Sequence, residues 1–179
     1  MSIRFLLYFA SVCPIYFGMF RVGFGYDYHR LKEGRALMLG GVNVPYEKGE
    51  DGHSDGDVLL HAITDALLGA EGKIDLGALF PPSDDSLKNA PSSRLLSIAW
   101  KRITENGWRL ENIDCVVIME KPKLNPYREL IIASIANILS VDEEKVFVKF
   151  KTHEGVGELG NSNAIASMVT ALISKEKLE

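Results

Sequence analysis

Asp27 and His29 stand two residues apart at the end of RVGFGYDYH, Arg21 to His29, in which Val22, Phe24, Tyr26 and Tyr28 alternate with Gly23, Gly25, Asp27 and His29. That alternation is the period of a β-strand, so carboxylate and imidazole leave the same face, and the glycines before them leave that face open. A second imidazole comes from a helical pattern. Asp57, His61 and Asp65 recur every four residues and share one stripe of a segment otherwise carrying Val58, Leu59, Leu60, Ile63, Ala66 and Leu67. Such a stripe can be a solvated face with His61 bonded to a neighbouring acid. Brought to Asp27 and His29, His61 would instead complete three protein ligands with one position open, the pattern of a working zinc site. One oxygen and two imidazoles suit zinc and do not exclude manganese or cobalt.

Two more clusters could handle an anion. His53 precedes Ser54-Asp55-Gly56-Asp57, whose spacing fits a capping box opening a helix through about Leu68. Free N–H groups and the helix dipole there favour a phosphate, to which His53 could donate. Lys151-Thr152-His153-Glu154 gathers a cation, a hydroxyl, an imidazole and a carboxylate after a strand. The following Gly155 to Gly160, GVGELG, fits G-x-G-x-x-G, but the acidic residue a dinucleotide site needs about twenty positions on has no room before residue 179. The glycines read as a turn into a last helix, near a phosphate.

The elements that must position these groups follow from the remaining pattern. Leu37–Leu39 and Val42–Val44 flank Gly40-Gly41 and read as a small hairpin. A polar stretch with Pro81-Pro82, Asp84-Asp85, Asn89 and Pro91 reads as a mobile flap before a helix starting near Ser92 or Ser93. A strand is expected from about Asp114 to Glu120, a helix from Asn125-Pro126 to Leu139, a last strand over Val146, Val148 and Phe150, and a closing helix from about Asn163 to Lys175. Strands and helices interleave without a repeat, so one two-layer α/β or α+β domain is expected.

Composition excludes several classes. Of 179 residues, 20 are Lys or Arg and 24 Asp or Glu, a net charge of −4 with no basic run, which argues against an electrostatic nucleic-acid footprint. Two cysteines, Cys13 and Cys115, build no disulfide framework and no thiolate zinc site. Phe5 to Phe20 is a 16-residue uncharged stretch after Arg4, interrupted by Pro14 and Gly18. Residues 1–20 therefore read as an apolar extension outside the domain at 21–179: a mis-set start with Met19 as the natural first residue, a leader, or a packed extension. The expected location is cytoplasmic, or a plastid-type organelle if the leader is real, with no membrane partner for the mature domain.

Together, RVGFGYDYH, GHSDGDVLLHAITDALL (Gly52 to Leu68), DLGALFP (Asp75 to Pro81) and KFKTHE (Lys149 to Glu154) closely resemble the 2-C-methyl-D-erythritol 2,4-cyclodiphosphate synthase family in order and spacing, over about Arg21 to Lys175. The resemblance implies a homotrimer with active sites between subunits, a mixed β-sheet covered by helices on one face, and sheets facing inward. It implies a phosphorus–oxygen lyase that cyclises 4-diphosphocytidyl-2-C-methyl-D-erythritol 2-phosphate with release of CMP, in non-mevalonate isoprenoid synthesis. By position it assigns Asp27, His29 and His61 to zinc, Glu154 to magnesium or manganese, and His53 and Thr152 to the transition state. Asp75 and Gly77 fall where the methylerythritol part is held, and Met119 to Asn125, with Pro122, Lys123 and Leu124, on the loop that receives cytidine. Ser54, Phe80, Asp84, Lys151 and His153 complete the implied substrate contacts. The chain departs from the family pattern at Lys151, where a second hydroxyl residue is usual, at Asn161, where arginine is frequent, and at Pro82, where an acid often follows Phe80-Pro81. A metal-dependent phosphohydrolase and a trimeric binding module with structural zinc are the rival readings.

Overall fold

Glycines at 23 and 25 let a helix lie closer to a strand than any side chain would allow. In a computed structural model that describes residues 18–52, 54–81 and 90–176, strand β1 (Gly18–Glu33) carries both glycines buried against helix α1 (Val58–Glu71). A Cβ on Gly23 would stand 1.9 Å from the Ala66 carbonyl oxygen, and one on Gly25 the same distance from that of Ala62. The two glycines therefore do not hold the strand face open, as the sequence suggested; they seat α1 on it, with His61 one residue before the Ala62 contact. Gly25→Ala would force α1 back by about 1 Å or more to restore contact distance. We expect it to destabilise the fold by about 3 kcal/mol, the upper end for overpacking, and to weaken metal binding. Chemical denaturation checks the first and zinc titration the second; a stability loss below about 1 kcal/mol would show that the close approach is not required.

The remaining strands are β2 (Leu37–Leu39), β3 (Val42–Val44), β4 (Lys48–Glu50), β5 (Arg109–Ile118), β6 (Val146–Lys151) and β7 (Ala164–Glu176). They form a five-stranded sheet in the order β4-β1-β7-β5-β6, in which only β5–β6 is parallel, and a separate β2–β3 hairpin. Gly40 and Gly41 turn that hairpin with φ of 61° and 78°, the left-handed pair of a tight two-residue connection. Beside α1 lie α2 (Leu76–Leu79), α3 (Ser92–Glu105), α4 (Arg128–Leu139) and the short α5 (Gly157–Gly160). The helices lie on one face of the mixed sheet. Leu59, Ile63 and Leu67 of α1, Leu96 and Ile103 of α3, and Ile131 and Ile135 of α4 join Ile113, Cys115, Val169 and Ile173 of the sheet in one core. Burial pushes the Cys115 thiol well up, so it acts as a small apolar side chain. Among the described residues no helix is long and apolar enough to cross a membrane.

Several expectations need correction. The closing helix over Asn163 to Lys175 is instead β7, the central strand, paired antiparallel with β1 on one side and β5 on the other. A strand pinned between two neighbours overrides the helix propensity of its alanines, and Val169, Ala171 and Ile173 point inward while Met168 and Thr170 point out. Accordingly the 155–160 glycines turn through α5 into a strand, not a helix. Finally, α1 begins three residues later than the capping-box reading, with Asp57 rather than Ser54 as its cap. The strand expected at Asp114 starts earlier, at Arg109, while the helix ending at Leu139 stands as expected, entered by a 3-10 turn at Asn125–Tyr127. Strand β1 takes in Gly18, Met19 and Phe20, paired with Glu176, Lys175 and Ser174; residues 1–17 lie outside the described residues, as do His53, most of the expected flap and Asp84.

Candidate metal centre

The strand alternation places Asp27 and His29 on the α1 face of β1, and one helical turn past its cap α1 places His61 above them. Asp27 Oδ2 lies 2.9 Å from His61 Nδ1 and 3.2 Å from His29 Nε2, and one ligand atom from each residue lies within 4.8 Å of the others. Ligand atoms around a tetrahedral zinc stand about 3.3 Å apart, so the spacing fits an ion with little rearrangement. The rings meet edge to face, centroids 5.2 Å apart. Their outer nitrogens are also held: His29 Nδ1 lies 2.6 Å from the Gly56 carbonyl oxygen, and His61 Nε2 lies 2.9 Å from Ser92 Oγ and 3.2 Å from Ser54 Oγ. Imidazoles engaged on the far nitrogen and converging on the near one are the pattern of metal-ligating histidines. Ser167, directly opposite Asp27 on β7, buries a hydroxyl with no partner among the described residues.

Asp27 is half-buried. Desolvation acts to raise its pKa, but the His61 hydrogen bond, the charges of His29 and His61 and the Tyr28 N–H outweigh it, so the carboxyl sits below its ordinary value and is ionised for a cation. The stripe expected of Asp57, His61 and Asp65 divides into three roles. Asp57 is wholly buried and accepts from the N–H groups of Leu60, Gly40 and Gly41 at 3.0, 3.0 and 2.6 Å, tying the β2–β3 turn to the start of α1. Asp65, whose pKa burial raises, accepts from Leu76 N–H at 2.7 Å and so fixes α2 beside the centre.

Behind His29 lies a carboxyl that no local sequence pattern singles out. Glu50 is fully buried, with Oε2 3.0 Å from Val58 N and 3.6 Å from His29 Nδ1. Burial first, then the neighbouring charge of Asp57, pushes its pKa well above the ordinary value. Asp57 is itself raised by burial to about 6, but its three N–H donors make it the charged member of the pair and leave the proton on Glu50. A carboxyl held protonated in the fold costs stability as pH rises past its unfolded pKa of about 4.3, because only the unfolded chain then releases the proton. Metal-free Glu50→Gln is therefore expected to be more stable than the parent chain above pH about 5, with the gap widening toward neutrality. Thermal unfolding as a function of pH checks this, and a Gln variant less stable at neutral pH would mean that Glu50 is ionised.

The other residues singled out from sequence fall into two groups. Asp75 caps α2 by accepting from Ala78 N–H at 2.8 Å, and Gly77 is exposed, with Phe80 at the end of that turn, so this segment reaches the centre through Asp65. Lys151, Thr152, His153 and Glu154 follow β6, and Met119 to Asn125 follow β5; the two loops meet where Met119 N–H donates to Lys151 O and His153 N–H to Glu120 Oε2. Met119 and Leu124 are buried. Thr152 Oγ1 donates to Glu154 Oε1 at 2.6 Å. Asp27 lies in the sheet row Asp27–Ser167–Val117–Phe150, so these loops leave the same end of the sheet, but β1 and β6 are three strand spacings apart, about 14 Å. The chain brings together the three nitrogen and oxygen ligands and leaves its own Thr152–Glu154 cluster apart from them.

Comparison with known proteins agrees with this geometry. A family model described as the YgbB family matches residues 20–174. The 2-C-methyl-D-erythritol 2,4-cyclodiphosphate synthase of Treponema denticola is 58% identical over 153 residues, 86% of this chain and 95% of that protein. Among solved structures, the bifunctional IspDF of Campylobacter jejuni superposes with a TM-score of 0.85 at 38% identity, over 88% of this chain and 43% of that longer one. A CDP complex of the Plasmodium falciparum IspF does so with 0.78 at 36% identity, over 88% and 97%. A sheet, a helix and a triad arranged as described, with likeness over nearly all of the described residues, make the chain a member of the YgbB family, that of the 2-C-methyl-D-erythritol 2,4-cyclodiphosphate synthases.

Proposed function

We propose that the chain carries out the reaction of its family: intramolecular phosphoryl transfer converting 4-diphosphocytidyl-2-C-methyl-D-erythritol 2-phosphate to 2-C-methyl-D-erythritol 2,4-cyclodiphosphate with release of CMP, a phosphorus–oxygen lyase step of non-mevalonate isoprenoid synthesis. The convergence of Asp27, His29 and His61, with the outer nitrogens of both rings engaged, carries the reading. An oxygen of the 2-phosphate attacks the substrate's own β-phosphorus; the bond to the oxygen bridging the α-phosphorus breaks, and its electron pair leaves with CMP. The nucleophile is already an anion, so the protein needs no strong base. It needs an in-line pose for a polyanion and compensation of its charge.

Zinc at the triad and a magnesium or manganese ion at Glu154, when bound, supply Lewis-acid neutralisation on the diphosphate oxygens. In this reading Asp27, His29 and His61 fix where the β-phosphate sits, while His53 and Thr152 donate to the charge that develops there. Asp75 and Gly77 hold the methylerythritol hydroxyls. The Met119–Asn125 loop receives the cytosine and ribose, and Ser54, Phe80, Asp84, Lys151 and His153 line the path between. The two halves belong to different subunits of a homotrimer. The separation of about 14 Å within one chain supports this, as does the uncovered outer face of the sheet, where Val22, Phe24, Tyr26, Tyr28 and Met168 are exposed.

Mass spectrometry of the products formed by purified protein with zinc, magnesium and the cytidine-linked substrate tests the proposal. Cyclic diphosphate plus CMP is expected. A linear product carrying one added water would assign the triad to hydrolysis instead, and no turnover by zinc-loaded protein would leave a binding module.

A further inference from the structure

Asp55, in the loop before α1, and Ser92, in the first turn of α3, meet directly behind His61, and neither has a part in the chemistry so far. Helix α3 starts at Ser92 after Pro91, which offers no side-chain cap. The cap comes from Asp55, 37 residues upstream: Ser92 N donates to its two carboxylate oxygens at 3.2 and 3.1 Å, and Ser92 Oγ lies 2.5 Å from Oδ1. The same Ser92 Oγ is 2.9 Å from His61 Nε2, and the residue is buried.

We propose that Asp55 and Ser92 are positioning residues that fix the tautomer of His61 and so set the affinity of the centre for its metal; this deepens the metal reading above and rests on it. His61 faces Asp27 through Nδ1, so Nδ1 must offer a lone pair to an ion and the ring proton must sit on Nε2. A serine hydroxyl can donate or accept, and alone it would not choose. Ser92 Oγ–H donates to Asp55 Oδ1, and Asp55 accepts from the Ser92 N–H as well, so the serine proton is committed to Asp55 and its lone pair turns toward His61. The chain of donors runs from His61 Nε2–H to Ser92 Oγ–H to Asp55. Without it, a neutral His61 can keep its proton on Nδ1, donate to Asp27 Oδ2 at 2.9 Å, and present no lone pair to a metal. His29 needs no such relay, because its outer nitrogen meets a main-chain carbonyl, an acceptor that cannot turn round. Ser54 Oγ, 3.2 Å from Nε2, accepts from Gly56 N–H at 3.1 Å and lies 3.3 Å from Ser92 Oγ, to which it can give its own proton, so it joins the same chain and also turns a lone pair to the ring.

The test uses the full chain stripped of metal, titrated with zinc against a chromogenic chelator and separately loaded with cobalt(II) for its visible absorption. Ser92→Ala and Asp55→Asn are each expected to weaken zinc binding roughly 10- to 100-fold, the usual effect of losing an outer partner of a ligating histidine, and to shift the cobalt bands. Ser92→Thr, which keeps the hydroxyl, is expected to recover most of the affinity. Zinc affinity within about twofold of the parent with unchanged cobalt bands would overturn the proposal. So would a fall in metal-free thermal stability alone, since that is all a helix cap would produce. If Ser92→Ala does not fold, Asp55→Asn is judged by the same criteria. Parent protein that takes up neither zinc nor cobalt would overturn the metal reading itself, a result distinguishable from failure of the relay.

Discussion

His61→Ala is expected to purify as folded protein with little zinc, and to lose turnover by more than the roughly hundredfold that removal of an outer-shell partner costs. The expectation rests on what each ligand contributes. Asp27 and His29 come from neighbouring positions of one strand and could hold a cation only from one side; His61 closes the site from the helix above, with Nδ1 2.9 Å from Asp27 Oδ2. Without it, two ligands remain, one short of the three protein ligands typical of a working zinc. The helix should survive, because His61 lies on its partly exposed edge while Leu59, Leu60, Ile63 and Leu67 keep their places in the core. His29→Ala should likewise lower zinc content. Elemental analysis checks both, and metal content equal to that of the parent in either variant would defeat the assignment. Zinc lost together with the fold would favour a structural ion over a working one.

The triad was legible because its signals are local. Period two places Asp27 and His29 on one face whatever the fold, and the spacing of His61 from Asp57 and Asp65 survives any helix that starts within a residue or two of the expected place. The roles of Asp57 and Asp65 were not legible. Asp57 is decided by the Gly40–Gly41 turn, and Asp65 by α2, and neither contact has a signature within the helix itself. The closing segment misled for a physical reason. Ala164, Ala166 and Ala171 favour helix in isolation, and a segment pinned on both edges by β1 and β5 shows its period of two only where Met168 and Thr170 interrupt the apolar run. Glu50, Asp55 and Ser92 were invisible as a group because they come from three segments that only the folded chain brings behind His29 and His61. An isolated signal did exist: a helix starting at Ser92 behind a proline lacks its own cap, so an acceptor from elsewhere was required.

On the proposed homotrimeric assembly, Phe24→Asp is expected to give monomers while leaving Asp27, His29 and His61 in place. Val22 and Phe24 are 66% and 63% exposed, and with Tyr26, Tyr28 and Met168 they make one apolar face on the side of the sheet away from α1. A strand face of that composition is anomalous in water and is accounted for if copies of the sheet close on one another. An aspartate there would place one uncompensated charge per subunit in the interface, and a buried charge without a partner costs about 3–5 kcal/mol. Three such charges around one axis would also repel one another. Phe24 is also three residues from Asp27 and points to the opposite face, so the zinc content of the monomer should match that of the parent, whereas turnover should fall with the loss of the Thr152–Glu154 loop that the proposed assembly brings from the neighbouring subunit. That combination separates assembly from folding: metal retained, mass reduced to one third, activity gone. Light scattering coupled to gel filtration reads the mass. A variant that keeps both the parent's mass and its turnover would show that the exposed face of β1 is not where subunits meet.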